Sequence, residues 1–71
     1  MPKIKFVEID TDEVVLSMLS EGDCGIKVND IISIKDNKFK VYQVIKNIAE
    51  HGFDLMTVIV EKITNKEILN G

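Results

Sequence analysis

The chain reads Ile32-Ser33-Ile34-Lys35-Asp36-Asn37-Lys38-Phe39-Lys40-Val41 near its middle. Apolar and polar side chains alternate on both sides of Asp36-Asn37, as they do in strands with one buried face. Asp and Asn both tolerate the positive φ that a two-residue type I′ turn requires. The sequence therefore predicts a β-hairpin that turns at Asp36-Asn37.

The apolar residues of the whole chain are those typical of strands. Val and Ile number nineteen, whereas Ala and Leu number five. Side chains branched at Cβ are restricted in a helix but pack well on a pleated sheet, and Ala is the best helix former. The composition predicts an all-β fold with room for at most one short helix.

A chain of 71 residues, 45% of them hydrophobic, has the size of one small domain, here residues 1–71. No apolar run is long enough to span a membrane, and the first residues lack the features of a secretory signal. We therefore expect a soluble, cytoplasmic protein. Cys24 has no second cysteine to pair with, so a disulfide cannot stabilise the fold, and self-association is the common alternative.

The charged residues disfavour nucleic acid as a partner. Nine lysines and no arginine stand against twelve acidic residues, which gives a net charge of −3. Arginine is the usual residue for bidentate contacts to phosphates and base edges, and the lysines form no basic stripe along the sequence. A nucleic-acid-binding barrel is therefore the weaker alternative.

The alternation of apolar and polar residues predicts two irregular strands and leaves two segments ambiguous. Alternation shifts by one residue near Phe6 and again between Val41 and Tyr42, which predicts a β-bulge or strong coiling at each place. Val14–Leu19, within residues 13–20, fits either a helix with a capping box or a strand, and the composition favours the strand. Residues 46–53 predict a connecting loop or a short helical turn.

The most apolar stretch is Leu55-Met56-Thr57-Val58-Ile59-Val60. An antiparallel strand is apolar on both faces only when something covers its second face as well. A second copy of the chain supplies such cover, so we predict a homo-oligomer interface at Met56, Val58 and Ile59. Ile68-Leu69 predicts a short final strand.

Five or six short strands joined by tight turns predict a small antiparallel barrel of SH3-like or OB-like type. The stretch Ile26-Lys27-Val28-Asn29-Asp30-Ile31-Ile32-Ser33-Ile34-Lys35-Asp36-Asn37-Lys38-Phe39-Lys40-Val41-Tyr42-Gln43-Val44 resembles a hairpin of short phage and prophage proteins with SH3-like barrels. Those proteins often have Gly where this chain has Asn29. The resemblance implies an SH3-like barrel. That the chain is a phage-encoded interaction module acting on a host protein is a prediction reached by elimination, because the sequence has strands and surface charge but no reactive constellation.

The reactive side chains form no recognisable catalytic or metal-binding pattern. Cys24 lies among carboxylates, which disfavour a thiolate, and His51 has no second convergent group. Asp10, Asp12 and Glu13 lack the spacing of a calcium loop and suit a turn or a helix cap. We expect no enzyme activity, no metal and no cofactor.

The aromatic residues suggest where a partner or ligand binds. Phe6, Phe39, Tyr42 and Phe53 either pack in the core or form a stacking platform. Phe39 and Tyr42 are an odd number of positions apart, so Tyr42 is expected to face outward. A non-catalytic interaction module is the leading functional prediction. The alternative is an oligomer that binds a small nucleotide with Tyr42, Lys40 and Lys27.

Overall fold

The alternating segments form five β-strands in the computed structural model, which describes residues 3–20, 25–50 and 52–63. The strands are β1 (Lys3–Glu8), β2 (Val14–Leu19), β3 (Ile31–Ile34), β4 (Asn37–Ala49) and β5 (Gly52–Lys62). The all-β prediction is confirmed, and Val14–Leu19 is a strand. Within the described ranges, no helix of the length and apolarity needed to cross a bilayer is found. The predicted strand at Ile68-Leu69 lies outside these ranges.

The strands lie in the order β2-β1-β5-β4-β3 and form a nearly closed, barrel-like sheet. Three neighbouring pairs are antiparallel, but β1 and β5 are parallel. The chain passes from β2 at one edge to β3 at the other through residues 20–30. The small barrel agrees with the prediction, whereas the parallel pair was not predicted.

One side of the sheet carries the hydrophobic core. Its buried residues come from β1, β3, β4 and β5, namely Ile4, Phe6, Ile34, Phe39, Val41, Met56, Val58 and Val60. The burial of these side chains provides most of the stabilisation that a small domain with a single cysteine, and so without an internal disulfide, can obtain. No polar or charged residue is buried among the described residues. Of the two alternatives for the aromatic residues, the structure shows core packing for Phe6 and Phe39. Phe53 lies in β5 with its side chain outside the described part.

The β3–β4 hairpin forms, but its turn lies one residue earlier than predicted. Ile34 pairs with Asn37, and the turn residues are Lys35 and Asp36, with φ angles of 51° and 70°. Both registers place Ile34 and Phe39 on the same face, so the hydrophobic pattern does not distinguish them. The predicted register would place Lys35 opposite Lys38, and like charges directly opposite each other are destabilising. The observed register pairs Lys38 with Ser33 instead.

Both predicted bulges are present. The pairing of β1 with β2 shifts between Phe6 and Val7, and the extra residue lies on β2, at Val15. The pairing of β4 with β5 shifts between Val41 and Gln43, which makes Tyr42 the extra residue. Each bulge increases the local bend of the sheet, as a small barrel requires.

Residues 46–49 and 52–53 are strand residues and do not belong to the predicted loop or helical turn. β4 continues to Ala49 and pairs with β5 as far as Gly52, whose φ is 126°. Asn and Gly in this segment disfavour a strand, but pairing along the full length of β5 overrides that local preference. The result is a long β4–β5 hairpin.

Candidate binding face

The strand register defines a second face of the sheet, opposite the core. Residues paired directly across neighbouring strands have side chains on the same side, and sides alternate along each strand. We call the side turned away from the core the outer face. Its apolar residues are Val7, Val14, Leu19, Ile31, Tyr42, Ile45, Leu55 and Ile59.

A row of these residues crosses four strands. Val14 pairs with Val7, Val7 with Ile59, and Ile59 with Gln43, beside the bulged Tyr42. Val7 is only 8% exposed although it does not belong to the core cluster. The row is therefore shielded from water at Val7 and exposed at its ends, where Val14 is 53% and Tyr42 60% exposed.

Exposed apolar side chains are concentrated on this face. Of the nine large hydrophobic residues that are exposed among the described residues, five lie on it: Val14, Leu19, Ile31, Tyr42 and Ile45. Single exposed apolar residues are normal, but a concentration on one face of a small protein marks an interaction surface.

The charge of the outer face has the opposite sign to that of the chain. The face carries four lysines, Lys3, Lys5, Lys38 and Lys40. Its acidic residues among the described strands are Glu61, which is paired with Lys40, and the exposed Asp54, the extra residue beside Leu55 at the register shift between Asn47 and Ile48. The face therefore has a net charge of +2, whereas the chain has a net charge of −3. Of the other acidic residues that the structure describes, most lie in turns and loops.

The three residues predicted to bind a ligand lie on neighbouring segments. Lys40 and Tyr42 are on the outer face of β4, and Val41 lies between them. The amide of Asn29 donates to the carbonyl of Val41 at 2.8 Å, and the amide of Val41 donates to the carbonyl of Asp30 at 2.8 Å. These bonds hold the loop that contains Lys27 against β4. The structure thus brings the three residues to one region, and the outward orientation predicted for Tyr42 is confirmed.

The loop itself has a defined conformation. The amide of Lys27 donates to Oδ2 of Asp30 at 2.9 Å, and Asn29 has a φ of 76°. This φ lies in the left-handed region, which Gly adopts without strain and Asn more easily than most residues. The backbone thus explains why either Gly or Asn suits this position.

The three residues predicted to form an oligomer interface are divided between the two faces. Met56 and Val58 are fully buried in this chain's own core, so their side chains present no surface to a second copy. The apolar character of β5 on its inner side is explained by its central position between β1 and β4. Ile59 lies on the outer face and is half-buried.

The acidic segment between β1 and β2 forms a turn. The amide of Asp12 donates to the carbonyl of Glu8 at 2.8 Å, and the amide of Glu13 donates to Oγ1 of Thr11 at 3.3 Å. No group of three metal-ligating side chains is found within the described ranges. Cys24 and His51 lie outside those ranges.

Sequence reasoning identified Tyr42, Lys40 and Ile59 but missed that they share a face with Val14, Leu19 and Ile45. The signal was present in the alternation of β1, where Lys3, Lys5 and Val7 occupy alternate positions, and in that of β5, where Leu55 and Ile59 do. It could be interpreted only once the parallel pairing of these strands was known. Comparisons with protein-family models, curated proteins and solved structures found no match for this chain.

Proposed function

We propose that this protein is a non-catalytic binding module whose outer face binds an acidic surface of another protein. The observation that carries the proposal is the coincidence of five exposed apolar residues and four lysines on one face of an acidic chain. An SH3-like barrel encoded by a phage and acting on a host protein in the cytoplasm is part of this proposal. The resemblance of residues 26–44 to phage proteins supports that part.

The chemistry of the face favours a protein partner with both apolar and acidic groups. The apolar row of Val14, Val7, Ile59 and Tyr42 provides area to remove from water on binding. The lysines attract an acidic partner and repel a basic one, which raises the association rate and adds specificity. The distribution of charge also orients the encounter, because the acidic loops of the chain repel the same partner.

Capture of a partner from extracts of the source cells tests this function. The immobilised protein should capture one dominant acidic protein, and an increase in salt should weaken capture because exposed charges are screened. Ile45→Asp should reduce capture about tenfold, since it removes an apolar contact and places a carboxylate against the acidic partner. Val28→Asp is the matched control, because Val28 is 52% exposed, compared with 47% for Ile45, and lies outside the face.

If Ile45→Asp and the control capture the same proteins in the same amounts, the outer face is not the binding surface. Circular dichroism of both variants establishes that each remains folded, so a loss of capture cannot be assigned to unfolding.

A small nucleotide is the second candidate ligand, favoured by the hydrogen bonds that hold the Lys27 loop beside Lys40 and Tyr42. A phenol ring stacks on a base, and two ammonium groups neutralise phosphate charge. Nucleotide should then raise the thermal midpoint of the wild type but not that of Tyr42→Ala. An unchanged midpoint with purine and pyrimidine nucleotides rejects this candidate.

A further inference from the structure

Opposite charges are segregated on this chain. Residues 6–26 contain six acidic residues and no lysine, arginine or histidine. Three of the six lie between β1 and β2, at Asp10, Asp12 and Glu13, and all three are exposed. No other four consecutive residues of the sequence include three acidic ones. The outer face, in contrast, carries four lysines and a net charge of +2. One chain thus presents two surfaces of opposite charge.

We call residues 9–13 the acidic turn. The amide of Asp12 donates to the carbonyl of Glu8 at 2.8 Å, and the amide of Glu8 donates to the carbonyl of Glu13 at 2.9 Å. A segment whose conformation is already fixed loses little conformational entropy when it binds. Ile9, which is 39% exposed, adds an apolar side chain next to the carboxylates. The acidic turn therefore has both kinds of group that the outer face attracts.

We infer that the acidic turn of one copy of this chain binds the outer face of a second copy. The inference rests on the proposed function, because it uses the preference of the outer face for a surface with acidic and apolar groups. Contact between two outer faces would place lysines against lysines, and contact between two acidic turns would place carboxylates against carboxylates. Charge therefore favours contact between unlike surfaces, and a second copy supplies both of them.

The arrangement of lysines on the outer face suits an acidic segment seated on the apolar row. Lys5 precedes the row along β1, and Lys40 precedes it along β4. Because β1 and β4 run in opposite directions, these lysines lie on opposite sides of the row. A turn that places Ile9 on the row therefore has a lysine on each side to receive its carboxylates.

Sedimentation equilibrium of the full chain over a range of concentrations tests the inference. The wild type should self-associate weakly, because the turn is short, and added salt should weaken the association. A lysine variant, Lys3→Gln/Lys40→Gln, and a carboxylate variant, Asp10→Asn/Asp12→Asn, should each weaken it about tenfold, since each removes two charges from one side of the contact. Asn tolerates the φ of 60° found at Asp12, so the conformation of the turn is preserved.

Two control variants remove the same number of charges elsewhere. Lys35→Gln/Lys62→Gln changes two exposed lysines outside the outer face, and Asp36→Asn/Glu50→Gln changes two exposed acidic residues outside the acidic turn. Both controls should associate like the wild type. If each control weakened association as much as its partner variant, the net charge of the chain would govern association and the inference would be wrong.

A mixture of the lysine variant and the carboxylate variant gives the sharpest measurement. The lysine variant keeps the acidic turn, and the carboxylate variant keeps the lysines of the outer face. The two should bind each other about tenfold more tightly than either binds itself, because the mixture restores one intact contact. With one variant isotopically labelled, amide NMR signals should shift in the acidic turn of the lysine variant and on the outer face of the carboxylate variant.

Two results overturn the inference: a wild type that is monomeric up to about 1 mM, and a mixture that associates no better than its components. Capture of the acidic partner is measured on the same variants, at concentrations where the wild type is monomeric. Loss of capture by the lysine variant without any self-association leaves the proposed function standing and rejects the inference. Self-association that follows the predicted pattern, without capture of another protein, supports the inference and rejects the proposed partner.

Discussion

The two faces of β5 differ in burial although both are largely apolar. Val58 and Val60 on the inner face have no exposed surface, while Leu55 and Ile59 on the outer face are half-buried. The inner face lies against residues of the four other strands or their flanks. On the outer face, Ile59 is paired with Val7 of β1 and Gln43 of β4. A strand with apolar residues on both faces is thus partly removed from water on each face. Its sequence does not show which of the two faces forms the core.

The difference in burial between the two faces is tested by introducing a charge at two adjacent positions of β5, one on each face. Val58→Asp should unfold the protein, because an unpaired carboxylate in the core costs more than about 4 kcal/mol. Ile59→Asp should leave the fold intact at a cost of about 1–2 kcal/mol, since its side chain can reach solvent. Urea unfolding followed by circular dichroism measures both. Equal losses would mean that the faces are not distinct.

β4 allows the same comparison with aromatic residues. Phe39 is buried and Tyr42 is exposed. Phe39→Ala should lower the free energy of unfolding by about 3–5 kcal/mol, through lost burial and the cavity that remains. Tyr42→Ala should lower it by less than about 1 kcal/mol. A large effect at Tyr42 would show that the bulge itself depends on the ring.

These residues also show how far sequence reasoning reached. The odd spacing of Phe39 and Tyr42 predicted their opposite orientations, and the break in alternation between Val41 and Tyr42 predicted the bulge in β4, because these features depend on local periodicity. The break near Phe6 also lies at a register shift, but there the extra residue is Val15 on the partner strand. The turn of the β3–β4 hairpin was displaced by one residue, since two registers give the same apolar face and only cross-strand charge distinguishes them. The outer face could not be predicted, because it depends on pairing between β1 and β5, which are far apart in sequence.

The smallest effect on stability is expected for a substitution at Glu61, which also tests the charge of the outer face. Glu61→Gln removes the face's single acidic partner of Lys40 and should lower stability by about 0.5 kcal/mol. The same change raises the positive charge of the face and should strengthen capture of an acidic partner at low salt. Glu13→Gln makes the same change of charge in an exposed loop and should leave capture unaltered. Equal capture by the two variants would show that capture does not depend on the charge of the outer face.

The parallel pairing of β1 with β5 has a consequence for how the chain folds during synthesis. Ile4 pairs with Met56, so about 50 residues must leave the ribosome before this contact can form. A two-stranded hairpin such as β1–β2 is only marginally stable by itself in water. The first third of the chain therefore emerges with its apolar side chains accessible to chaperones, and the barrel assembles after β5 has been made. Because closure of so long a loop precedes most of the stabilising contacts, folding should be slow for a protein of this size.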